Sequence, residues 1–384
     1  MEARGKGGDM DPTIDQGKIS PASTVVEEEA HSTKTIPFEF TGKADEYFKI
    51  WIVNVALTIV TLGIYSAWAK VRKKRYLYGN TWLQGTSFEY LGDPNKILKG
   101  RLIIGGGLLI YFVASFFLPF VDEYSWLLFL LILPWLVVMA RTFTARNSSY
   151  CNIRFDFRAT WGEAFKVFFG LALIGATGLG YPYFVCRRTE FVVSHSRYGT
   201  TPLALPWQNG VRTFYAMYLA AGGIFVVLFF VIGMVLMPIL SQTLSPFMVP
   251  QTQDQQHAPW LAAIPVFLSF FLSMGLLVYL PAFAYLKTAI TNFIWSNITI
   301  ANHRFYSSLE TSQMIWLYGS NAMAILLSLG LLIPWATIRT VRYRLDHLKL
   351  LGAGDLNEFV SSQQGEVAAA GEEASEFFDV DVGI

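Results

Sequence analysis

One stretch occurs three times in this chain and limits what it can fold into. Each copy opens on a short aromatic segment, continues as an apolar helix, breaks at Leu-Gly and ends in a basic cluster. The copies run from Phe38-Glu39-Phe40 through Leu62-Gly63 to Lys70, Arg72, Lys73, Lys74 and Arg75, and from Phe155-Asp156-Phe157 through Leu179-Gly180 to Arg187 and Arg188. The third runs from Phe305-Tyr306 through Leu329-Gly330 to Arg339, Arg342 and Arg344. The glycine follows its phenylalanine by 25 positions each time. A fixed long period of this kind indicates internal repeats. Asn80, Asn147 and Asn297 precede Phe88, Phe155 and Phe305 by 8 positions, which marks a recurring β-hairpin.

Composition decides the medium. Of 384 residues 53% are hydrophobic and 15% charged, against about 25% charged in ordinary soluble domains. The apolar residues gather into helices near 102–120, 126–140, 214–237 and 260–286, besides the three repeat helices. The fold expected is therefore an α-helical polytopic membrane protein with internal repeats and a small cytoplasmic β-hairpin sheet. Residues 1–36 and the acidic stretch 351–384 read as disordered tails. Between them lies a membrane domain, 37–350, with repeat units near 38–153, 155–303 and 305–350. Phe377-Phe378 in the acidic tail is a weak docking motif.

Basic residues set the topology. If each repeat helix bends at Leu-Gly and returns to its own side, five crossings remain and only 121–125 and 238–259 face outward, with no Lys or Arg between them. Seven crossings are the alternative, but they strand several arginines outside. The charge rule favours the first arrangement, with both termini cytoplasmic. Gly63, Gly180 and Gly330, with Pro182 and Pro334, are the helix-break positions. Lys70, Arg72, Lys73, Lys74, Arg75, Arg187 and Arg188 form the basic cluster that anchors topology and contacts anionic lipid headgroups.

Chemical motifs are absent. The two cysteines provide no disulfide framework, the five histidines show no zinc spacing, and no phosphate loop or nucleophile elbow occurs. The reading is a non-enzyme without cofactor, metal or nucleic acid. Asn54 and Asn321 are the most polar residues deep in apolar segments, and no ionisable residue lies there, which disfavours proton coupling. Passage of a neutral or amphipathic solute is the sharper expectation. The alternative is a membrane scaffold that engages a protein partner through its hairpins and basic clusters.

The segments Phe38-Glu39-Phe40-Thr41-Gly42, Leu62-Gly63-Ile64-Tyr65-Ser66-Ala67-Trp68 through Arg75, and Asn80-Thr81 through Gly85 to Phe88 resemble the YjgN family of bacterial inner-membrane proteins. The resemblance covers roughly 37–350. It implies a multi-pass inner-membrane location and supplies no substrate or catalytic residue. Reporters fused after residues 78 and 200 are expected on the same membrane face; activity on opposite faces would reverse the charge argument.

Overall fold

The computed structural model describes residues 33–118, 120–248, 259–353 and 359–365. Ten strands close into one antiparallel barrel. They are β1 (Thr33–Phe40), β2 (Thr81–Leu83), β3 (Thr86–Tyr90), β4 (Ser148–Tyr150), β5 (Ile153–Phe157), β6 (Ser196–Tyr198), β7 (Thr201–Ala204), β8 (Thr299–Ile300), β9 (His303–Ser307) and β10 (Leu348–Ala353). The order around the barrel follows the chain, and β1 pairs with β10 to close it. This overturns the small hairpin sheet expected from sequence. The hairpins are there, but they lie edge to edge, and the closing ladder pairs Thr35 with Leu351 and Pro37 with Lys349. Closure removes the exposed edges that a small open sheet would carry.

Tight turns join β2 to β3, β4 to β5, β6 to β7 and β8 to β9. Gln84-Gly85 and Cys151-Asn152 have positive φ at both turn residues (47° and 75°, 48° and 64°), as a two-residue hairpin with the right twist requires. The five remaining connections are helical. Between β1 and β2 come α1 (Ala44–Val60) and α2 (Ser66–Gly79), and between β3 and β4 come α3 (Pro94–Phe117) and α4 (Phe120–Arg146). β5 leads through α5 (Trp161–Phe165), a π-helical turn at Lys166–Gly170, α6 (Leu171–Ala176) and α7 (Tyr181–Ser194) to β6. β7 leads through α8 (Gly210–Met248), α9 (Pro259–Met274), a second π-helical turn at Gly275–Tyr279 and α10 (Leu280–Asn297) to β8. α11 (Thr311–Leu327) and α12 (Ile333–Asp346) join β9 to β10. Because neighbouring strands are antiparallel, every helical excursion leaves and re-enters by one rim, and every tight turn lies at the other.

Among the described residues three helical stretches are long and apolar enough to cross a bilayer: Pro94–Phe117, Gly210–Ser245 and Ile264–Asn297. The sequence reading expected five or seven crossings; by length and composition these three are the candidate spans among the described residues. Residues 121–125, read as a loop, lie within α4, and α8 runs on to Met248, well past the 237 expected. The remainder of the second outward connector, 249–258, is outside the described residues, as is Phe377-Phe378. β1 starts at Thr33, ahead of the boundary at 37, while β10 and a short helix at 359–365 continue past the one at 350.

The α1–α2 and α11–α12 hairpins share one corner. Gly63 N–H donates to Thr58 O (2.7 Å) and Leu62 N–H to Ile59 O (3.1 Å); Gly330 donates to Ile325 O (2.8 Å) and Leu329 to Leu326 O (3.1 Å). This is the double bond pattern that satisfies the last carbonyls of a helix. It places Leu62 and Gly63 at φ 50° and 92°, and Leu329 and Gly330 at 51° and 91°. In the third hairpin the left-handed residue is Gly178 (φ 76°), two positions before Gly180, which lies at φ −80° as the residue preceding α7. A Cβ on Gly180 would overlap the carbonyl oxygen of Ile174. Pro182 and Pro334 occupy the first turns of α7 and α12, where a missing N–H costs nothing.

Two different effects therefore act at the three break glycines. Gly63→Ala and Gly330→Ala impose a left-handed alanine and are expected to destabilise by about 1 kcal/mol. Gly180→Ala is expected to cost more, because backbone atoms must separate. Thermal melts of the detergent-solubilised protein would show this order, and an unchanged midpoint for Gly180→Ala would remove the packing argument.

Candidate functional site: the barrel chamber

The repeated phenylalanines converge. Alternation along a strand sends every second side chain inward, so Phe38, Phe88, Phe155 and Phe305 all enter the barrel, with Leu203 at the corresponding place on β7. Phe38 stacks between Phe88 (6.2 Å) and Phe305 (6.4 Å), Phe88 lies 4.7 Å from Tyr150, and Phe155 is 5.1 Å from Tyr198. A barrel of about eight strands is just filled by its own side chains. This barrel has ten, and a chamber of about 500 Å³ remains inside it.

The chamber wall is largely aromatic and aliphatic, and its two buried tyrosines are hydrogen-bonded. Tyr150 Oη donates to Leu83 O (2.8 Å) and Tyr198 Oη to Tyr150 O (3.0 Å). Burial pushes both phenols above the usual tyrosine range, so they stay neutral donors. The Asp156 carboxylate beside them is held by Arg146 and Arg158, each at 2.8 Å. These two hydrogen bonds and one from the Phe157 N–H outweigh its partial burial and keep it below the usual aspartate range.

One end of the chamber opens among the helix ends, where Tyr78, Arg141, Thr144, Val192 and Leu345 line it. Each returning helix is closed there by a side chain that bonds back to its own carbonyl four residues earlier. Asn80, Asn147 and Asn297 donate through Nδ2 to Tyr76, Phe143 and Phe293 at 2.8, 2.7 and 2.7 Å. His195 and His347 do the same through Nδ1 to Phe191 and Tyr343, both at 2.8 Å. The histidines complete a ring of five caps, of which the hairpin spacing marks only the asparagines. Gly63, Gly178 and Gly330 each precede their cap by 17 positions.

The opposite rim is closed by α13 (359–365). Phe359 and Val360 cover the chamber, Gln363 Oε1 accepts from Thr200 N and Oγ1 (3.2 and 3.0 Å) and Thr201 N (3.3 Å), and Gln364 donates to Cys151 O (3.0 Å). Under Phe359, 5.4 Å between ring centres, lies His303, only 3% exposed, with neither ring nitrogen partnered among the described residues.

None of the residues singled out from sequence as hinge, polar or basic positions lines the chamber. Asn54 is buried on α1 with its Oδ1 unpartnered among the described residues, while Asn321 donates to Thr340 (3.0 Å) and accepts from Arg339 (3.3 Å). Lys70, Arg72, Lys73, Lys74 and Arg75 all lie on α2. Arg72 donates to Tyr65 Oη (3.1 Å), Lys74 sits 4.6 Å over the Tyr90 ring, and Arg75 donates to Gly92 O (3.3 Å). On α7 Arg187 pairs with Glu190 (2.7 Å) and Arg188 packs 5.9 Å over Phe184. Among the described residues no cluster of three metal-ligating side chains occurs.

Burial lowers the His303 pKa below its ordinary 6.5. Above that value neither folded nor unfolded imidazole is charged and the residue is neutral in the balance. As pH falls below 6.5 the unfolded chain takes up a proton that the folded one refuses, so stability declines by at most about 1.4 kcal/mol per pH unit. Melts at pH 7.5 and 5.0 should show a smaller acid shift in His303→Phe than in the wild type; equal shifts would mean the ring is solvated.

The chain matches the family described as bacterial protein of unknown function (DUF898) over residues 35–377. It is 32% identical over 152 residues to the inner membrane protein YjgN of Escherichia coli K12, covering 39% of this chain and 38% of that one, and 31% identical over the same length to that of E. coli O157:H7. The match thus spans under two-fifths of the length of these relatives. The YjgN protein of Salmonella typhimurium is 23% identical over 369 residues, 85% of this chain and 91% of the relative. No solved structure matches. With a barrel, three apolar helices and a family match over most of its length, the chain belongs to the DUF898 family, whose relatives named here are inner membrane proteins.

Proposed function

We propose that this protein binds a neutral or amphipathic solute in the barrel chamber and exchanges it with the bilayer. Its barrel then rests on one membrane face and its helical excursions enter from that face. The observation that carries this reading is the chamber of about 500 Å³, within the usual range for small-molecule sites. It has an aromatic wall and opens among the membrane-directed helices.

The hairpin tips support the seating. Leu62 and Leu329 are each 94% exposed, and Leu179 84%. The first two hold a left-handed backbone that costs a non-glycine residue about 1–2 kcal/mol. Water offers nothing against that strain, whereas moving a leucine into hydrocarbon gains about 1.5–3 kcal/mol. From Leu62 to Lys70 is eight residues, the last five of them in α2, a rise of at most about 12 Å beside the half-thickness of a hydrocarbon core about 30 Å thick. Tips near the midplane put the lysines and arginines of α2 at the headgroups. The single-rim exit of all five excursions puts those of α7 and α12 at the same level. By the positive-inside rule that face is cytoplasmic. The five strand–helix–strand units read as copies of one ancestral unit, two of them with extended, membrane-crossing helices.

A diazirine-bearing monoacylglycerol, irradiated with the protein in phosphatidylcholine nanodiscs, tests the chamber. Adducts are expected on β3, β5 and β9 near Phe88, Phe155 and Phe305, competed by unlabelled monoacylglycerol and lost in Leu203→Trp, which fills the chamber. Labelling confined to α3, α8 and α9 would show lipid contact alone and sink the proposal.

A further inference from the structure

We propose a second, separate site: a groove on the α11–α12 hairpin that holds the headgroup of a phospholipid carrying both phosphate and amine, such as phosphatidylethanolamine. It rests on the membrane seating argued above and is independent of the chamber. The groove, about 680 Å³, lies between the start of α1 and the α11–α12 pair and is lined by Trp316, Trp335, Arg339, Arg342 and Asp346 among others.

Its two arginines are positioned by neutral groups only. Arg339 Nη1 donates to Ser320 Oγ (2.5 Å) and Asn321 Oδ1 (3.3 Å), and its guanidinium lies 5.1 Å over the Trp335 ring. Asn321 is 6% exposed and is itself fixed by Thr340. Arg342 Nη2 donates to the Gly42 carbonyl (2.7 Å). Neither is in an ion pair among the described residues, so two oriented forks with no carboxylate in contact face one groove. Forks of this kind suit phosphate oxygens.

The carboxylate specifies the rest of the ligand. Asp346 is exposed and has no partner among the described residues. It sits in the last turn of α12, where the helix dipole disfavours an anion. Of the other acids on the elements around the groove, Glu310 is bound by Gln313 Nε2 (2.8 Å), Glu46 is held by Lys43 (3.6 Å) and Tyr76 Oη (3.2 Å), and Asp45 lies beside it in the first turn of α1. Asp346 follows Arg342 by one helical turn, the spacing that puts side chains side by side. A phosphate on the arginines would therefore hold an amine, two carbons away, against Asp346.

Depth agrees with a lipid as the source. Arg339 follows the tip residue Leu329 by ten positions, the last seven of them in α12, a rise of at most about 15 Å beside a hydrocarbon half-thickness of about 15 Å. Trp316, 71% exposed, and Trp335 flank it, as aromatic residues do at the headgroup boundary. Arg339 and Arg342 stand at the phosphate level and Asp346 one turn farther out.

Native mass spectrometry of the full chain in non-ionic detergent decides the matter, with phosphatidylethanolamine, phosphatidylglycerol and phosphatidylcholine of identical chains added at equal concentration. One retained phosphatidylethanolamine is expected in preference to the other two. Arg339→Gln with Arg342→Gln should weaken its retention about tenfold. Asp346→Asn, which disturbs no contact of the fold, should leave phosphatidylethanolamine and phosphatidylglycerol bound alike. Equal retention of all three lipids by the wild type, or phosphatidylethanolamine bound as before by the double arginine variant, would overturn the site. Displacement by an equal concentration of soluble phosphoethanolamine or inorganic phosphate would overturn the lipid assignment. Loss of the bound lipid in Leu203→Trp would move it to the chamber and overturn the groove.

Discussion

Antiparallel pairing around a closed ring is the constraint on which the remaining architecture depends. Once each strand is bonded to two neighbours of opposite direction, a connection between consecutive strands must end at the rim where it began. The helices can be short, as in α1–α2, or as long as the 39 residues of α8; in either case the chain comes back. The ladder thus fixes through hydrogen bonds the rim from which each connection leaves. It commits every hairpin to one side, and the arginines and lysines of the returning helices then fall at one level without separate specification.

The same ring creates the chamber. Inward alternation at the repeated phenylalanine positions produces a wall whose polar members, Tyr150 and Tyr198, spend their donors on barrel carbonyls. What is left for a guest is shape and apolar surface, with few polar groups to discriminate between ligands. Such a site suits a class of molecules better than a single one. The α11–α12 groove has the opposite character: charged forks, a lone carboxylate and two tryptophans, arranged to read one headgroup.

Much of this was legible in the residues, for local reasons. The phenylalanine spacing located the inward ring, the asparagine spacing located three of five helix ends, and Leu62-Gly63 and Leu329-Gly330 located two corners. What escaped was non-local or disguised. β10 reads as Leu348-Lys349-Leu350-Leu351, too brief and irregular to announce a strand, and its partner β1 lies over three hundred residues away. His195 and His347 perform the capping done elsewhere by asparagine, so the asparagine spacing does not mark them. Gly180 was aligned by counting forward from Phe155. The count that is kept runs backward from the cap, and a π-helical turn at Lys166–Gly170 lies in the interval. The tail appeared acidic as a whole, which hid the apolar Phe359-Val360 pair that covers the rim.

Closure by the first and last strands also sets an order on biosynthesis. β1 is made at the outset and waits, with its outer edge unpaired, until Leu348–Ala353 has been translated. All the described helical excursions therefore emerge before the ring can shut, while the strands are still an open ribbon. A ribosome that stalls short of β10 leaves an open sheet with two unpaired margins. A finished copy thus differs from an unfinished one by having no free strand edge in the ring.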